Sequence, residues 1–348
     1  RNRIESNSLR LCGEQQADGG AAAAAPQERK VPITLITGFL GSGKTTLGRC
    51  ILRVLDPSSG SIRFLPKEGG EVELANAPLE QMRQVWRKVR MIFQDPQASL
   101  NPRLRVIDVV GQALQKTEGL KGKALNARVA ELLENVGLRK EFMHRYPNAF
   151  SGGQRQRLGI ARALSTHPEL VVADEAVSAL DVSIQAQTLN LLQDLQEEFA
   201  LTFLFIAHDL AVVEHICDRV AVMYRGQFVE VADTRTLFEN PQHPYTRALI
   251  SSVPIPDPRL ERTRHRPGLK GELPSPMDPP SGCVFRTRCP IAEDACASAV
   301  PPSSSTSAAA RLMNMSSLRA SCRISRALAH SSSISRVRTS RKAVSRSG

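Results

Sequence analysis

At 348 residues, 41% hydrophobic and 23% charged, the chain is long enough for one large α/β domain with an appendage, or for two modest domains, and has the composition of a globular protein. Its longest apolar runs, such as LTFLFIA (residues 201–207), are strand-length and far short of the ~20 residues a membrane helix needs. The net charge of +12 invites a nucleic-acid reading, but nine Lys or Arg and no Asp or Glu lie from Pro301 onward, leaving +3 for the first 300 residues. The excess therefore belongs to a Ser- and Arg-rich tail, read as disordered rather than as a binding face. No segment reads as a secretory signal, and a first residue other than Met leads one to expect that the true start is missing. Seven cysteines, with Cys12, Cys50 and Cys217 scattered, favour a reducing, cytoplasmic setting.

Residues 1–30 contain the low-complexity run GGAAAAAPQ and are read as unstructured. VPITLIT (31–37) is a β-branched run ending at Gly38, and TLGRCILRVL (46–55) has apolar residues at helical spacing. GSIRFL and GEVEL read as short strands, PLEQMRQVWRK (78–88) as a helix opened by Pro, and VRMIF (89–93) as a strand. From about 98 to 165 the pattern is helical, in VIDVVGQALQK, ALNARVAELLENVGL and GQRQRLGIARAL. Strands return at ELVVAD (169–174) and LTFLFIAH (201–208), accompanied by helices over 183–199 and 209–217. Apolar strands alternating with helices predict a parallel sheet buried on both faces, interrupted by a helical insert. Pro-rich turns after residue 240 mark an accessory segment to about 300, and 301–348 is low-complexity.

ITGFLGSGKTT (36–46) satisfies the phosphate-loop pattern through Gly38, Gly41, Gly43, Lys44 and Thr45. Glycines let backbone N–H groups converge on phosphate oxygens at a helix N-terminus, Lys44 suits β- and γ-phosphate charge, and the Thr45 hydroxyl suits Mg²⁺. A plain glycine turn is the bland alternative. LVVADE (170–175) is an apolar strand ending in two carboxylates: Asp174 suits the Mg²⁺ shell, and Glu175, pointing the other way, suits an attacking water. A solvated corner would look the same in isolation. FSGGQRQRLGIARAL (150–164) places Ser151 as N-cap with Gly152 and Gly153 freeing the backbone, which makes a second anion site or an ordinary capped helix.

The wording TGFLGSGKTT is similar to metal-chaperone GTPases of the cobalamin-synthesis type, yet no Cys lies between Cys50 and Cys217, where those proteins carry a metal motif. The 150–164 stretch resembles instead the signature motif of ABC ATPases. Gln94 in MIFQDPQASLNPR resembles the Q-loop, SALD (178–181) the D-loop, and IAHDL, with His208, the switch histidine. YPNAFSGGQRQRLGIARAL, ADEAVSALDVSIQAQTLNLLQDLQ, NPQHPYTRALISSVP and GELPSPMDPPSGCVFRTRCP resemble the ATPase subunits of dipeptide/oligopeptide importers, over about residues 46–296.

The resemblance implies a RecA-like P-loop NTPase core (31–240) with a helical subdomain (about 98–165) and a C-terminal extension (241–300). It implies ATP and Mg²⁺, with two subunits, alike or different, sandwiching two nucleotides. Each would be held by residues 38–46 of one subunit, including Ser42 and Thr46, and by Ser151, Gly152, Gly153 and Gln154 of the other. Glu175 would activate water, His208 contact the γ-phosphate, Asp181 link the sites, and Gln94 ligate Mg²⁺ and couple to a membrane permease. The protein would act peripherally at the cytoplasmic face of the inner membrane, served indirectly by an extracytoplasmic peptide-binding protein and without nucleic acid. A truncated or chimeric product and a nucleic-acid ABC ATPase remain alternatives. The family's adenine-stacking aromatic has no counterpart, since residues 1–30 hold no Phe, Tyr or Trp, and Ala176 stands where Pro usually follows the glutamate. Cys283, Cys289, Cys296 and Cys322 are a candidate [4Fe–4S] ligand set, with unpaired thiols as the alternative.

Overall fold

The computed structural model describes residues 33–38, 42–253, 257–263, 269, 271–272, 274–275, 278–298 and 304–305. In chain order, strand β1 (Ile33–Thr37) leads into helix α1 (Lys44–Ile51), followed by the hairpin strands β2 (Arg63–Phe64) and β3 (Val72–Glu73). Next come α2 (Leu79–Lys88), β4 (Val89–Ile92), the short α3 (Pro96–Ser99), then α4 (Val106–Thr117), α5 (Gly122–Asn135) and α6 (Gly152–Leu164) of the helical insert. The chain returns through β5 (Leu170–Asp174), α7 (Val182–Phe199), β6 (Thr202–Ala207) and α8 (Leu210–Ile216) to the hairpin β7 (Arg219–Tyr224) and β8 (Gln227–Asp233). Helices α9 (Thr234–Glu239), α10 (Pro244–Ser252), α11 (Pro258–Thr263) and α12 (Ala295–Ser298) precede a two-residue strand, β9 (Ser304–Ser305).

The main sheet runs β4-β5-β6-β1-β7-β8-β9, parallel from β4 to β7, with β8 antiparallel to β7. Alternate side chains divide between its faces. Val171, Phe203, Phe205 and Val220 join one apolar cluster with the helical insert. Val172, Ile206 and Met223 join a second, with Leu47, Met82 and Met91. Burial of both faces explains why these strands are apolar runs rather than alternating ones.

Three readings of the sequence differ from the structure. Helix α1 stops at Ile51 because Arg53 takes a left-handed φ of 54° and its guanidinium donates to Leu74 O and Ala75 O, both at 2.7 Å. Pro78 is the N-cap of α2 rather than its first residue. Hairpin β7–β8 was not anticipated, although RVAVMY and QFVEVAD flank a two-residue turn at Arg225–Gly226, both with positive φ (51° and 79°). Its signal is two β-forming runs around a glycine-bearing pair. The tail contributes Ser304–Ser305, paired in parallel with Glu230–Val231, and the remainder of 306–348 lies outside the described residues.

The accessory segment is docked on this hairpin. The Glu230 carboxylate, 2% exposed, accepts the backbone N–H groups of Gln242 (2.8 Å) and His243 (2.9 Å). His243 Nδ1 in turn accepts Tyr245 N–H at 3.1 Å, capping α10. Burial lowers the His243 imidazole from 6.5 to about 4. The unfolded chain therefore binds the extra proton between these values. Stability from the neutral ring is complete above about 6.5 and is lost as the pH falls through about 4. Denaturant unfolding should show a loss on the order of 2–3 kcal/mol across that window. His243→Asn, which keeps a side-chain acceptor for Tyr245, should flatten the dependence. An unchanged slope in the variant would remove His243 as its cause.

Candidate functional site

Strands β1, β5 and β6 end level, so that Gly38, Glu175 and His208 leave the sheet at one edge. The loop after β1 needs glycine twice for different reasons. At Gly38 a Cβ would lie 2.1 Å from Met223 O, and at Gly43 the φ of 94° at the N-cap of α1 is left-handed. Gly41 lies outside the described residues. Lys44 is 4% exposed and its ammonium donates to Gly38 O at 2.5 Å. Burial lowers its pKa, opposed by the charges of Glu175 and Asp174. The hydroxyls of Thr37 and Ser42 are buried without a hydrogen-bond partner among the described residues. Thr46 is half-buried in the first turn of α1.

The Thr45 hydroxyl donates to Asp174 Oδ1 at 3.0 Å, joining α1 to the tip of β5. Asp174 is 1% exposed. Burial raises its pKa, the Thr45 hydrogen bond lowers it, and the neighbouring Glu175 charge adds to the rise. A buried cation, unpartnered hydroxyls and a hydroxyl–carboxylate pair are a donor set that fits a triphosphate with Mg²⁺, a hard cation that prefers oxygen ligands.

Glu175 takes a left-handed φ of 47° directly after the strand. Such a conformation costs about 1–3 kcal/mol in a non-glycine residue and is held by its surroundings. Glu175 N–H donates to Ile206 O at 2.9 Å, and the Ser178 hydroxyl donates to Glu175 O at 3.0 Å. Its carboxylate accepts Gln94 Nε2 at 2.7 Å, and His208 Nδ1 lies 3.4 Å away. A cavity of about 100 Å³, lined by Glu175, Ser178, Gln185, His208 and Asp209, adjoins the carboxylate and has room for water. Gln94 is thus placed on Glu175. Among the described residues no hydrogen bond joins it to Thr45 or Asp174.

The second motif lies elsewhere on the chain. Ser151 caps α6 in a reciprocal box with Gln154, Ser151 N–H to Gln154 Oε1 at 3.1 Å and Gln154 N–H to Ser151 Oγ at 3.4 Å. Gly153 lets α6 approach α7: a Cβ there would lie 2.7 Å from Ile184 Cγ2. Asp181, the N-cap of α7, is exposed and makes no side-chain cap bond. Among the described residues neither Ser151–Gln154 nor Asp181 bonds to the phosphate loop.

Among the described residues, Cys283, Cys289 and Cys296 are not arranged as a metal site. Cys283 is buried beside Phe285, and Cys289 and Cys296 pack against the same apolar cluster. The Cys289 thiol is raised chiefly by burial, with Cys283 and Cys296 adding to the rise. Among the described residues no group of three or more His, Cys, Asp or Glu is arranged to hold a metal, and Cys322 lies outside them. Packing as small hydrophobes accounts for the three that are seen.

Two family models match: ABC transporter over residues 29–178, and the oligopeptide/dipeptide transporter C-terminal region over residues 229–296. A putative peptide import ATP-binding protein of Brucella ovis is 52% identical over 267 residues, covering 76% of this chain and 82% of its own. The oligopeptide transport ATP-binding protein AppF of Bacillus subtilis is 51% identical, with 76% and 80% covered. The chain belongs to the ABC transporter family. Among solved structures, an ATP-binding cassette dimer in a post-hydrolysis state with ADP and Pi superposes with a TM-score of 0.51 at 25% identity, covering 60% of this chain and 87% of that one. The cbiO1 subunit from Clostridium perfringens, part of the ABC transporter complex cbiONQ, matches with the same TM-score and identity, covering 60% and 80%. The chain is accordingly an ABC ATPase, and the GTPase and nucleic-acid readings of its loop and charge fall away.

What sequence reasoning missed in this ABC ATPase is the support behind the loop: Gly226 N–H donates to Ser42 O at 2.8 Å, from a hairpin that had not been anticipated. Gly38→Ala should push the loop off Met223 O and destabilise the protein by about 1–3 kcal/mol, the usual cost of overpacking. Nucleotide titration should show weakened binding in the same variant. Wild-type stability in Gly38→Ala would contradict the close contact.

Proposed function

We propose that this ABC ATPase is the ATP-hydrolysing subunit of an importer that takes up peptides through a membrane permease. The observation that carries the peptide assignment is the C-terminal region: it matches the oligopeptide/dipeptide transporter model and is clamped to the core by the Glu230 carboxylate. The relatives named as peptide import and oligopeptide transport ATP-binding proteins, at about half identity, support the same cargo class.

In this reading Lys44 and the loop amides hold ATP, with Ser42, Thr45 and Thr46 in the same turn. Thr45 and Asp174, with Gln94 nearby, would hold Mg²⁺, which would supply positive charge against the phosphate oxygens. Glu175 takes a proton from water in the adjoining cavity. Its carboxylate is held by Gln94 on one oxygen and faced by His208 on the other, so the lone pair that receives the proton has a fixed direction. His208, 46% exposed at the side chain, contacts the γ-phosphate. Ser151, Gly152, Gly153 and Gln154, exposed or half-buried apart from Gly153, close over the nucleotide of a second ATPase subunit, and Asp181 links the two sites.

A groove of about 700 Å³ runs past Trp86, Phe93, Arg87, Arg90, Lys116 and Arg162, with no carboxylate in its lining. Burial lowers Arg90 and Arg162, and Arg162's charge adds to the effect on Arg90. An apolar, cationic groove next to Gln94 suits a cytoplasmic segment of the permease that carries acidic residues. Among the described residues no helix is long and apolar enough to cross a membrane. The subunit would then sit peripherally at the cytoplasmic face, with an extracytoplasmic peptide-binding protein acting on the permease. A [4Fe–4S] cluster forms no part of the reading, because the described cysteines offer no ligand set.

Lys44→Ala should abolish nucleotide binding. Glu175→Gln should keep binding, lower kcat by about 10²–10⁴-fold and trap an ATP-bound dimer. Nucleotide titration, steady-state hydrolysis and gel filtration would measure both. Normal turnover by Glu175→Gln would remove it as the base. Co-expression with a permease should give peptide uptake that Lys44→Ala abolishes; uptake unaffected by that change would overturn the transport reading.

A further inference from the structure

The phosphate loop rests on the backbone of residues 223–226 at two points. Met223 O lies so close to Gly38 that no Cβ fits between them, and Gly226 N–H donates to Ser42 O at 2.8 Å. Gly43 also approaches: a Cβ there would lie 3.7 Å from Gly226 Cα. Between these contacts lies Tyr224, 2% exposed, whose hydroxyl is buried with no hydrogen-bond partner among the described residues. The β7–β8 pairing fixes its backbone, and packing places its ring.

That packing comes from the C-terminal region. Phe285 stands edge-on to Tyr224 with centroids 5.2 Å apart and planes at 87°, and Tyr245 lies at 4.8 Å and 61°. Tyr245 and Phe285 also meet each other at 5.7 Å, and both are fully buried. T-shaped aromatic contacts of this kind are directional as well as apolar, so they fix the ring they surround. Glu230 anchors the same region one strand over. The Arg225–Gly226 turn, with both φ values positive, has little freedom to relax independently of Tyr224.

We propose that the C-terminal region is a positioning element for the phosphate loop: Phe285 and Tyr245 hold Tyr224, which fixes the turn that supports Ser42 and Gly38. This rests on the ATPase reading of the loop and adds a remote determinant of ATP affinity. Phe285 and Tyr245 touch no nucleotide. They act through Tyr224, so their removal loosens ground-state binding and leaves Glu175 and His208 in place. By linkage, nucleotide bound to the loop must tighten the docking of the C-terminal region by the same factor.

The test uses the full chain. Phe285→Ala should raise both KM for ATP and the Kd for Mg²⁺–ADP at least about fivefold, the lower end of typical coupling between sites. The value of kcat should stay close to wild type, the pattern of lost uniform binding. Phe285→Leu should recover part of the affinity. Wild-type Kd in a folded Phe285→Ala protein would overturn the proposal. Hydrogen exchange on wild-type protein provides an arm that needs no variant. Mg²⁺–ADP should slow amides in residues 242–250 and 282–286 as well as in 42–46, and protection confined to 42–46 would overturn the proposal. Wild-type protein that binds no nucleotide would overturn the ATPase reading and this one with it, before any variant is compared.

Discussion

The parallel register of β5, β6 and β1 is the constraint on which the site depends. Asp174 pairs with Ile206, and Thr37 with Ala207, so the three strands finish within one residue of each other. The residues that follow, Glu175, His208 and Gly38, then emerge side by side although 170 positions separate the first from the last in sequence. A slip of one residue in any pairing would turn a strand's apolar set from one cluster to the other. Strands buried on both faces resist that slip, because Val171 and Val172 have different fixed partners. Core packing thereby sets the geometry of the chemistry.

The same burial makes the charges at the strand tips costly. Lys44 and Asp174 are nearly inaccessible, and for each the largest influence on its pKa is desolvation, toward the neutral form. Their mutual charges, and the Thr45 hydrogen bond on Asp174, oppose it. Such an arrangement is held partly against its own preference, as is the left-handed Glu175. A polyanionic ligand with a divalent cation would supply the missing compensation, and the proposed coupling of nucleotide to the C-terminal region follows from the same need. The hairpin contacts from Met223 and Gly226 are the protein's own contribution to that order.

Much of this was legible in the sequence. Strand–glycine–helix around Lys44, the apolar strand ending at Asp174 and the N-cap at Ser151 rest on local patterns, and each lies where those patterns place it. What local patterns do not encode is pairing at a distance. Gln94 bonding to Glu175 spans 81 positions and depends on β4 lying beside β5. The β7–β8 hairpin is hard to read because only two residues separate RVAVMY from the preceding helix and the following turn carries Arg before Gly. The docking of Phe285 on Tyr224 could not be read at all, since a lone Phe in a Pro-rich segment carries no periodicity.

The two glycines that follow Ser151 separate what the fold demands from what a partner demands. Gly153 is required by the chain itself, because any larger residue would meet Ile184 as α6 crosses α7. Gly152 is exposed, and a Cβ there would meet nothing within 4 Å. Intrachain sterics give no reason for glycine at that position, and its cost in backbone entropy at a helix start is real. A reason outside the chain is close approach by another molecule to a bare backbone. Val182, 84% exposed beside Asp181 at the start of the adjoining helix, is an apolar side chain left uncovered at the same corner. Both features would be accounted for by the proposed arrangement, in which a second ATPase subunit closes over this edge and holds a nucleotide in its phosphate loop against the first turn of α6.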